Sequence, residues 1–227
     1  MNKSRVETFS DGVFAIAITL LVLTIAEPTN FRELGHQLAD RWPSLAAYVV
    51  SFAIIGIMWL NHHSLFSSFE RIDRGLFYLN LLLLLTITFL PYPTGVLGEA
   101  LARGHGAKTA AVFYGVTMAI NACAWSALWL YASYRRRLLH PSFPEEERAL
   151  ATLMFTVGVV VYTLAIGVAF LNAYAFLAVQ AALAVYYALD PVNRRPGRAR
   201  RAAQASDDEV AGDTGLASTP ARFRRRS

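Results

Sequence analysis

The first side chains in this sequence that could do chemistry are polar and charged groups placed directly before a long apolar run. Arg5, Ser10 and Asp11 precede the apolar stretch 12–26. An ionised carboxylate beside membrane hydrocarbon is unfavourable unless it is paired or faces water. Asp11 is therefore expected to hydrogen bond to a neighbouring helix or to face an aqueous path.

Partners for Asp11 occur at the end of the second apolar run, where Trp59, Asn61, His62 and His63 carry hydrogen-bond donors. We expect a hydrogen-bonded clamp between the first and second helices. Metal binding by the two histidines is the weaker alternative, because adjacent helical residues point about 100° apart and no further ligand follows at a suitable spacing. The sequence predicts no metal site and no cofactor.

A stripe of apolar residues follows Asp11 along the same helix. At about 100° per residue, Thr19, Leu20 and Leu23 fall within about 60° of Ile16, with Glu27 on the same side at the far end. If several copies of this helix surround an axis, the stripe forms apolar rings, a hydroxyl ring and an acidic mouth that attracts cations. Helix packing in a membrane produces such stripes more often, so both interpretations stay open.

The composition places these helices in a bilayer, because 55% of the 227 residues are apolar and 16% are charged. The apolar blocks of membrane-spanning length are 9–26, 45–65, 76–90, 110–134 and 150–189. The last block is too long for one crossing, and we expect a tight hairpin at residues 171–173 to divide it. Pro28 is expected to end the first helix, and Pro91 and Pro93 the third. The predicted fold is all-α, with six transmembrane helices.

Lys and Arg residues near the helix ends indicate the orientation. One side of the membrane carries Lys3, Arg5, Arg71, Arg74, Arg135, Arg136, Arg137, Arg148, Arg194, Arg195 and Arg198. The other side carries only Arg32, Arg41, Arg103 and Lys108. The positive-inside rule therefore predicts that both termini are cytoplasmic.

The chain divides into a six-helix domain, 1–189, and a tail, 190–227. The tail is rich in Arg, Ala, Ser, Pro and Gly and lacks an apolar period, so it is expected to be a disordered, basic cytoplasmic segment. Contact with anionic lipid headgroups is expected for it, and nucleic-acid binding is not. Neither a nucleophile with its base nor a glycine-rich phosphate loop occurs, so the sequence does not indicate an enzyme.

Two motifs identify a resemblance to a known family. The pattern Arg5-x-x-x-Phe9-Ser10-Asp11 followed by GVFAIAITLLVL, together with WLNHH at residues 59–63, resembles the bacterial transmembrane protein 175 potassium channels. The similarity covers the chain from Lys3 to about Leu189. It implies a homotetramer of the bacterial cytoplasmic membrane, with the first helix of each subunit lining a central pore and no glycine-rich carbonyl filter.

The resemblance also implies roles for individual residues. Ile16 would be the constricting residue, Leu20 and Leu23 the next rings outward, and the Thr19 hydroxyl the group linked to potassium preference. The polar network implied by the motifs comprises Arg5, Phe9, Ser10, Asp11, Trp59, Asn61, His62 and His63. A regular helix puts Arg5 on the Ile16 face, so Arg5 either faces the pore or precedes the helix.

The sequence thus predicts a potassium channel that conducts passively. A secondary transporter is the alternative, although such proteins favour internal repeats and a broken helix near the membrane midplane. A membrane scaffold or sensor without a permeation path would fit the same hydropathy.

Overall fold

The computed structural model describes residues 2–29, 31–134, 138–141 and 143–189, and its regular elements in these ranges are all helical. The α-helices are α1 (Lys3–Leu20), α2 (Leu34–Asp40), α3 (Trp42–Ser67), α4 (Arg74–Phe89), α5 (Pro91–Arg103), α6 (Ala107–Tyr134), α7 (Glu145–Leu171) and α8 (Ala173–Leu189). The predicted tail 190–227 and the arginines at 135–137 lie outside the described residues.

Five helical segments of the described chain are long and apolar enough to cross a membrane. They are Lys3–Thr24, Trp42–Ser67, Arg74–Arg103, Ala107–Tyr134 and Glu145–Leu171. A sixth apolar helix, α8, is shorter, with 17 residues. Several apolar helices of this length indicate a multi-pass membrane protein, because a helix pairs its backbone N–H and C=O groups internally and these helices are long enough to cross the hydrocarbon.

The first helix differs from its predicted limits at both ends. It begins at Lys3, where the Asn2 side chain caps it by accepting a 3.0 Å hydrogen bond from the Ser4 N–H. The prediction that Arg5 could precede the helix is therefore wrong. After Leu20 the chain forms a 3₁₀ turn, Leu21–Thr24, and Ile25 is extended. The helix thus ends before Pro28 is reached.

The third predicted helix does not close at Pro91. Instead α5 begins there, and α4 and α5 together form one span of 30 residues. A proline is tolerated in the first turn of a helix because its missing N–H has no intrahelical partner there. At the junction the Leu90 N–H bonds to the Ile87 carbonyl at 3.1 Å, three residues back instead of four. The backbone hydrogen bonding therefore changes its spacing there but continues into α5.

The long apolar block is divided at Asn172, within the predicted hairpin. Asn172 is extended, with φ −155° and ψ 125°, and separates α7 from α8. Its side-chain oxygen accepts hydrogen bonds from the N–H groups of Tyr174 at 2.8 Å and Ala175 at 3.0 Å. This cap satisfies two donors at the start of α8, which stabilises the break.

The helices differ in how much of their surface the rest of the chain covers. In the most apolar 18-residue segment of each span, 61% of α6 is buried, against 28% of α1 with its 3₁₀ turn and 17% of α7. Hence α6 is central, and α1 and α7 are peripheral. A buried hydroxyl cluster ties α3, α5 and α6 together, because Ser51 Oγ lies 2.9 Å from both Tyr114 Oη and Thr94 Oγ1.

The loops at the end of the bundle where α1 begins are joined to each other. Phe69 and Leu139 form an antiparallel bridge, in which the Glu70 N–H bonds to the Leu138 carbonyl at 2.9 Å. Lys3 of α1 donates a 2.7 Å hydrogen bond to the Phe69 carbonyl. The start of α1 is therefore held by the loop that follows α3.

Candidate pore face and polar network

One side of α1 packs into the bundle and the other is uncovered. Ile16, Leu20 and Leu23 are 59%, 41% and 76% exposed. The opposite side contains the buried residues Val6, Ser10, Phe14, Ala17 and Leu21. We call the uncovered surface formed by Ile16, Thr19, Leu20 and Leu23 the open face of α1.

Thr19 is the polar member of the open face. Its hydroxyl lies 3.0 Å from the Ala15 carbonyl and 2.9 Å from the Ile16 carbonyl, both on its own helix. Because the single hydroxyl hydrogen is directed to the backbone, the oxygen lone pairs are left to accept from the open side. Thr19 can therefore offer an oxygen ligand to a cation or a hydrogen-bond acceptor to water.

Three further predicted residues are Glu27, Arg5 and Phe9, and helical geometry positions only the last two relative to Ile16. Glu27 was assigned to the Ile16 stripe by a continuous helix, but the chain leaves helical geometry at Ile25, so the helical spacing no longer positions Glu27. Phe9, 51% exposed, and Arg5, also exposed, lie on the same side of α1 as Ile16. None of the hydrogen bonds of the polar network described next involves Arg5 or Phe9.

The buried part of the network joins α1, α3 and α4. Asn80 Nδ2 donates to Ser10 Oγ at 3.0 Å, and Ser10 Oγ donates to the Val6 carbonyl at 2.9 Å. His62 Nε2 lies 2.9 Å from Asn80 Oδ1. Since an amide oxygen only accepts, the His62 Nε2 atom carries the proton and donates. Ser10, His62 and Asn80 thus each form a side-chain hydrogen bond although they are buried.

Aromatic rings enclose His62 and hold its orientation. The Phe66 ring stacks on the imidazole with the centroids 4.1 Å apart, and the Phe14 ring meets it edge-on at 5.3 Å. Asn80 was not predicted as a member of the network. The available signal was an amide inside the leucine-rich stretch 79–85, where a polar group needs a partner.

The second part of the network lies at the surface and contains Asp11. Trp59 Nε1 donates a 2.8 Å hydrogen bond to Asp11 Oδ1, which links α3 to α1. The His63 ring lies beside Trp59, with the centroids 6.2 Å apart, and is exposed. Asn61 is half-buried. The two adjacent histidines therefore belong to different clusters, and His62 bonds to Asn80 rather than to Asp11.

The described residues contain no group of three or more His, Cys, Asp or Glu side chains placed to hold a metal ion. His62 and His63 diverge from each other, as the angular spacing of neighbouring helical residues requires. What the arrangement offers instead is an apolar surface with one hydroxyl, backed by hydrogen bonds that fix α1 against α3 and α4.

Replacing Asp11 by alanine removes the acceptor for Trp59, and we expect a loss of about 1.5 to 3 kcal/mol of stability, as for hydrogen bonds to charged groups. Asp11→Asn keeps a carbonyl oxygen and should retain more of the stability. Thermal unfolding in detergent, followed by the tryptophan signal, measures both. Equal stability of Asp11→Ala and the parent protein would contradict this role.

These features define a class: a multi-pass α-helical membrane protein whose first helix has an apolar face that the rest of the described chain leaves uncovered. Comparison with known proteins gives the family. A family model described as the endosomal/lysosomal potassium channel TMEM175 matches residues 5–91. A potassium channel of Streptomyces collinus is 44% identical over 195 residues, covering 85% of this chain and 95% of that relative.

A potassium channel of Chamaesiphon minutus is 40% identical over 192 residues, covering 83% of this chain and 94% of that relative. The crystal structure of a lysosomal potassium-selective channel TMEM175 homolog from Chamaesiphon minutus matches with a TM-score of 0.74 and 38% identity. The match covers 82% of this chain and 96% of that one. The chain belongs to the TMEM175 family, which confirms the family predicted from the sequence.

Proposed function

We propose that this protein is a potassium channel whose pore is lined by the open face of α1. The observation that carries the proposal is that Ile16, Thr19, Leu20 and Leu23 are uncovered on a membrane-spanning helix whose other side is buried. Two relatives named as potassium channels support it, and the match to this chain covers most of the length of each. Potassium would pass down its electrochemical gradient without a cofactor.

The proposal requires an oligomer, because one chain contributes one open face and a single helix cannot enclose an axis. Closed rotational symmetry is the usual solution for identical subunits. We propose a homotetramer in which four copies of the open face meet.

We further propose six crossings of the bacterial cytoplasmic membrane with both termini on the cytoplasmic side. The 17 residues of α8 span about 26 Å at about 1.5 Å per residue, close to the hydrocarbon thickness. Lys3, Arg71, Arg74 and Arg148 would then lie on the cytoplasmic side, in agreement with the positive-inside rule. Contact of the basic tail with anionic lipid headgroups belongs to the same proposal.

Conduction in this arrangement depends on narrow apolar rings. Ile16 forms the first ring, and Leu20 and Leu23 form the next ones toward the outer side. Apolar side chains offer no oxygen atoms that could replace the water molecules around a cation. Such rings therefore act by limiting the width of the pore and by excluding water from it. The Thr19 oxygens are then the ligands nearest to the constriction, and discrimination between cations rests on them and on the width.

Flux from proteoliposomes tests the proposed function. Vesicles loaded with potassium chloride and containing the purified protein should release potassium when a potassium gradient is imposed, and vesicles without protein should not. Potassium retention by protein that remains a stable oligomer would contradict the channel and favour a membrane scaffold. Flux that saturates and requires a second co-transported ion would favour a transporter.

Thr19→Val replaces the hydroxyl with a methyl group of similar shape, and we expect it to lower the preference for potassium over sodium while the oligomer persists. The physical reason is the loss of the oxygen beside the Ile16 ring. Reversal potentials under mixed potassium and sodium gradients measure the preference.

The matched control for this prediction is Thr163→Val on α7. Thr163 is also exposed, and its hydroxyl also donates to a carbonyl of its own helix, that of Val159 at 2.7 Å. The control should leave the reversal potential unchanged. If Thr19→Val leaves it unchanged as well, Thr19 is not part of the selectivity element.

A further inference from the structure

A short 3₁₀ turn, Leu21–Thr24, continues α1 at its outer end, and it approaches α5 very closely at one residue. Within this turn Leu23 is 76% exposed, whereas Leu21 is fully buried. Thr24, the last residue of the turn, faces Gly95 of α5. A Cβ atom built on Gly95 would lie 2.9 Å from Thr24 Cβ and 3.5 Å from the Thr24 carbonyl oxygen. The absence of a side chain at Gly95 thus allows this approach.

The helix that carries Gly95 is itself firmly held. One turn further along α5, a Cβ on Gly98 would lie 2.9 Å from Ser44 Cα, so α5 and α3 are in backbone contact. Thr94 bonds to Ser51 of α3 at 2.9 Å. Glu99 accepts from Arg41 at 3.4 Å and from Arg103 at 2.6 Å. Because of these contacts, α5 is expected to keep its position when a side chain is added at Gly95, so that Thr24 is the residue that moves.

The surface beside this contact is open. A cleft lined by Thr24, Val96 and Glu99 lies next to Gly95, so the end of α1 is not enclosed on that side. Consecutive residues of a 3₁₀ turn point about 120° apart, because the turn has three residues. A displacement of Thr24 away from α5 therefore carries Leu23 further toward the uncovered side of α1.

We propose that Gly95 is a positioning residue that sets how far the outer end of α1 stands from the axis of the pore. The inference rests on the proposed function, since it assumes that the uncovered side of α1 faces the permeation path. A methyl group at Gly95 pushes Thr24 toward that path. The neighbouring Leu23 side chains, one from each subunit, move with it. The outer part of the pore then narrows.

The test compares unitary potassium conductance in planar bilayers with the oligomeric state in detergent. Gly95→Ala is expected to lose unitary conductance while the oligomer persists. Removing the Thr24 side chain makes room for the added methyl, so Gly95→Ala combined with Thr24→Gly is expected to regain conductance. Recovery of this kind is not expected from a variant that is merely misfolded.

Gly56→Ala is the matched control, because Gly56 lies in α3 and a Cβ built there meets nothing within 4 Å. It should conduct as the parent protein does. Parent-like conductance of Gly95→Ala would overturn the inference. If Gly95→Ala fails to assemble, the double variant decides: regained assembly and conductance support the contact, and continued failure overturns it. A parent protein that passes no potassium would instead contradict the proposed function.

Discussion

Replacing Ile16 by asparagine is expected to raise cation conductance and weaken the discrimination between potassium and sodium. Ile16 is 59% exposed on the open face, so in the proposed tetramer the substitution would exchange an apolar ring for a ring of amides that water can wet. Removal of a dewetted barrier lets ions pass with their hydration shells more complete. Unitary currents and reversal potentials in planar bilayers measure both effects.

The same substitution separates a pore from a packed interface. In a packed core, truncation of a large side chain leaves a cavity and costs about 2 to 5 kcal/mol, whereas a side chain that lines a lumen leaves little packing to lose. We therefore expect the Ile16→Asn oligomer to survive, and Leu23→Ala to produce a smaller change of the same sign. Loss of the oligomer without any gain in current would favour a scaffold.

Leu164→Asn is the matched control for Ile16→Asn. Leu164 lies on α7 and is 69% exposed, so the control places the same amide on a different uncovered membrane surface. It should leave conductance and selectivity unchanged. An equal gain in current from Leu164→Asn would show that an added polar group on a lipid-facing surface is enough to raise the current. Ile16 would then not be assigned to the constriction.

The Asn80→Leu substitution is expected to destabilise the protein most among changes to the polar network. Asn80 is fully buried and bonds both to Ser10 of α1 and to His62 of α3. Without its amide, the His62 N–H is left buried without an acceptor, at a cost of about 1 to 3 kcal/mol, besides the lost hydrogen bonds. A lower midpoint of thermal unfolding in detergent, with early loss of the oligomer, is the expected result.

A double variant tests the cause of that loss. In Asn80→Leu combined with His62→Phe the unsatisfied donor is gone, and replacement of both partners by apolar groups can be nearly neutral. The double variant should therefore be more stable than Asn80→Leu alone. Thr88→Val, on an exposed part of the same helix, should change stability little. A double variant that is no more stable than Asn80→Leu would show that shape, not the buried donor, causes the effect.

The part of the site that lies within one helix could be predicted from the sequence. The spacing of Ile16, Thr19 and Leu20 indicates a common side of α1, and the structure leaves that side uncovered; Leu23 is exposed in the 3₁₀ turn that follows. Helical periodicity determines which residues share a face, but it does not determine what the face contacts. The prediction of a partner for Asp11 on the second helix relied on hydrogen-bond chemistry, and Trp59 provides it.

The missed features depend on contacts between helices or on departures from helical geometry. Asn80 joins the network only through the relative position of α4, α1 and α3, which no single-helix pattern contains. The helical spacing used for Glu27 does not apply, because nothing in the run 21–24 signals the change to a 3₁₀ turn. Pro91 was interpreted as a helix end because it lacks an N–H, although that same property suits the first turn of α5.

The exposure of α7 affects how its sequence can change during evolution. Only 17% of its most apolar window is covered by the rest of the described chain, and uncovered positions such as Leu153, Val157 and Val160 have few protein neighbours to fit. Exchange among valine, isoleucine and leucine at these positions changes the transfer free energy into lipid by no more than about 0.8 kcal/mol and creates no internal cavity. We therefore expect substitutions on this surface of α7 to be limited by hydropathy, and those on the central helix α6 to be limited by side-chain shape.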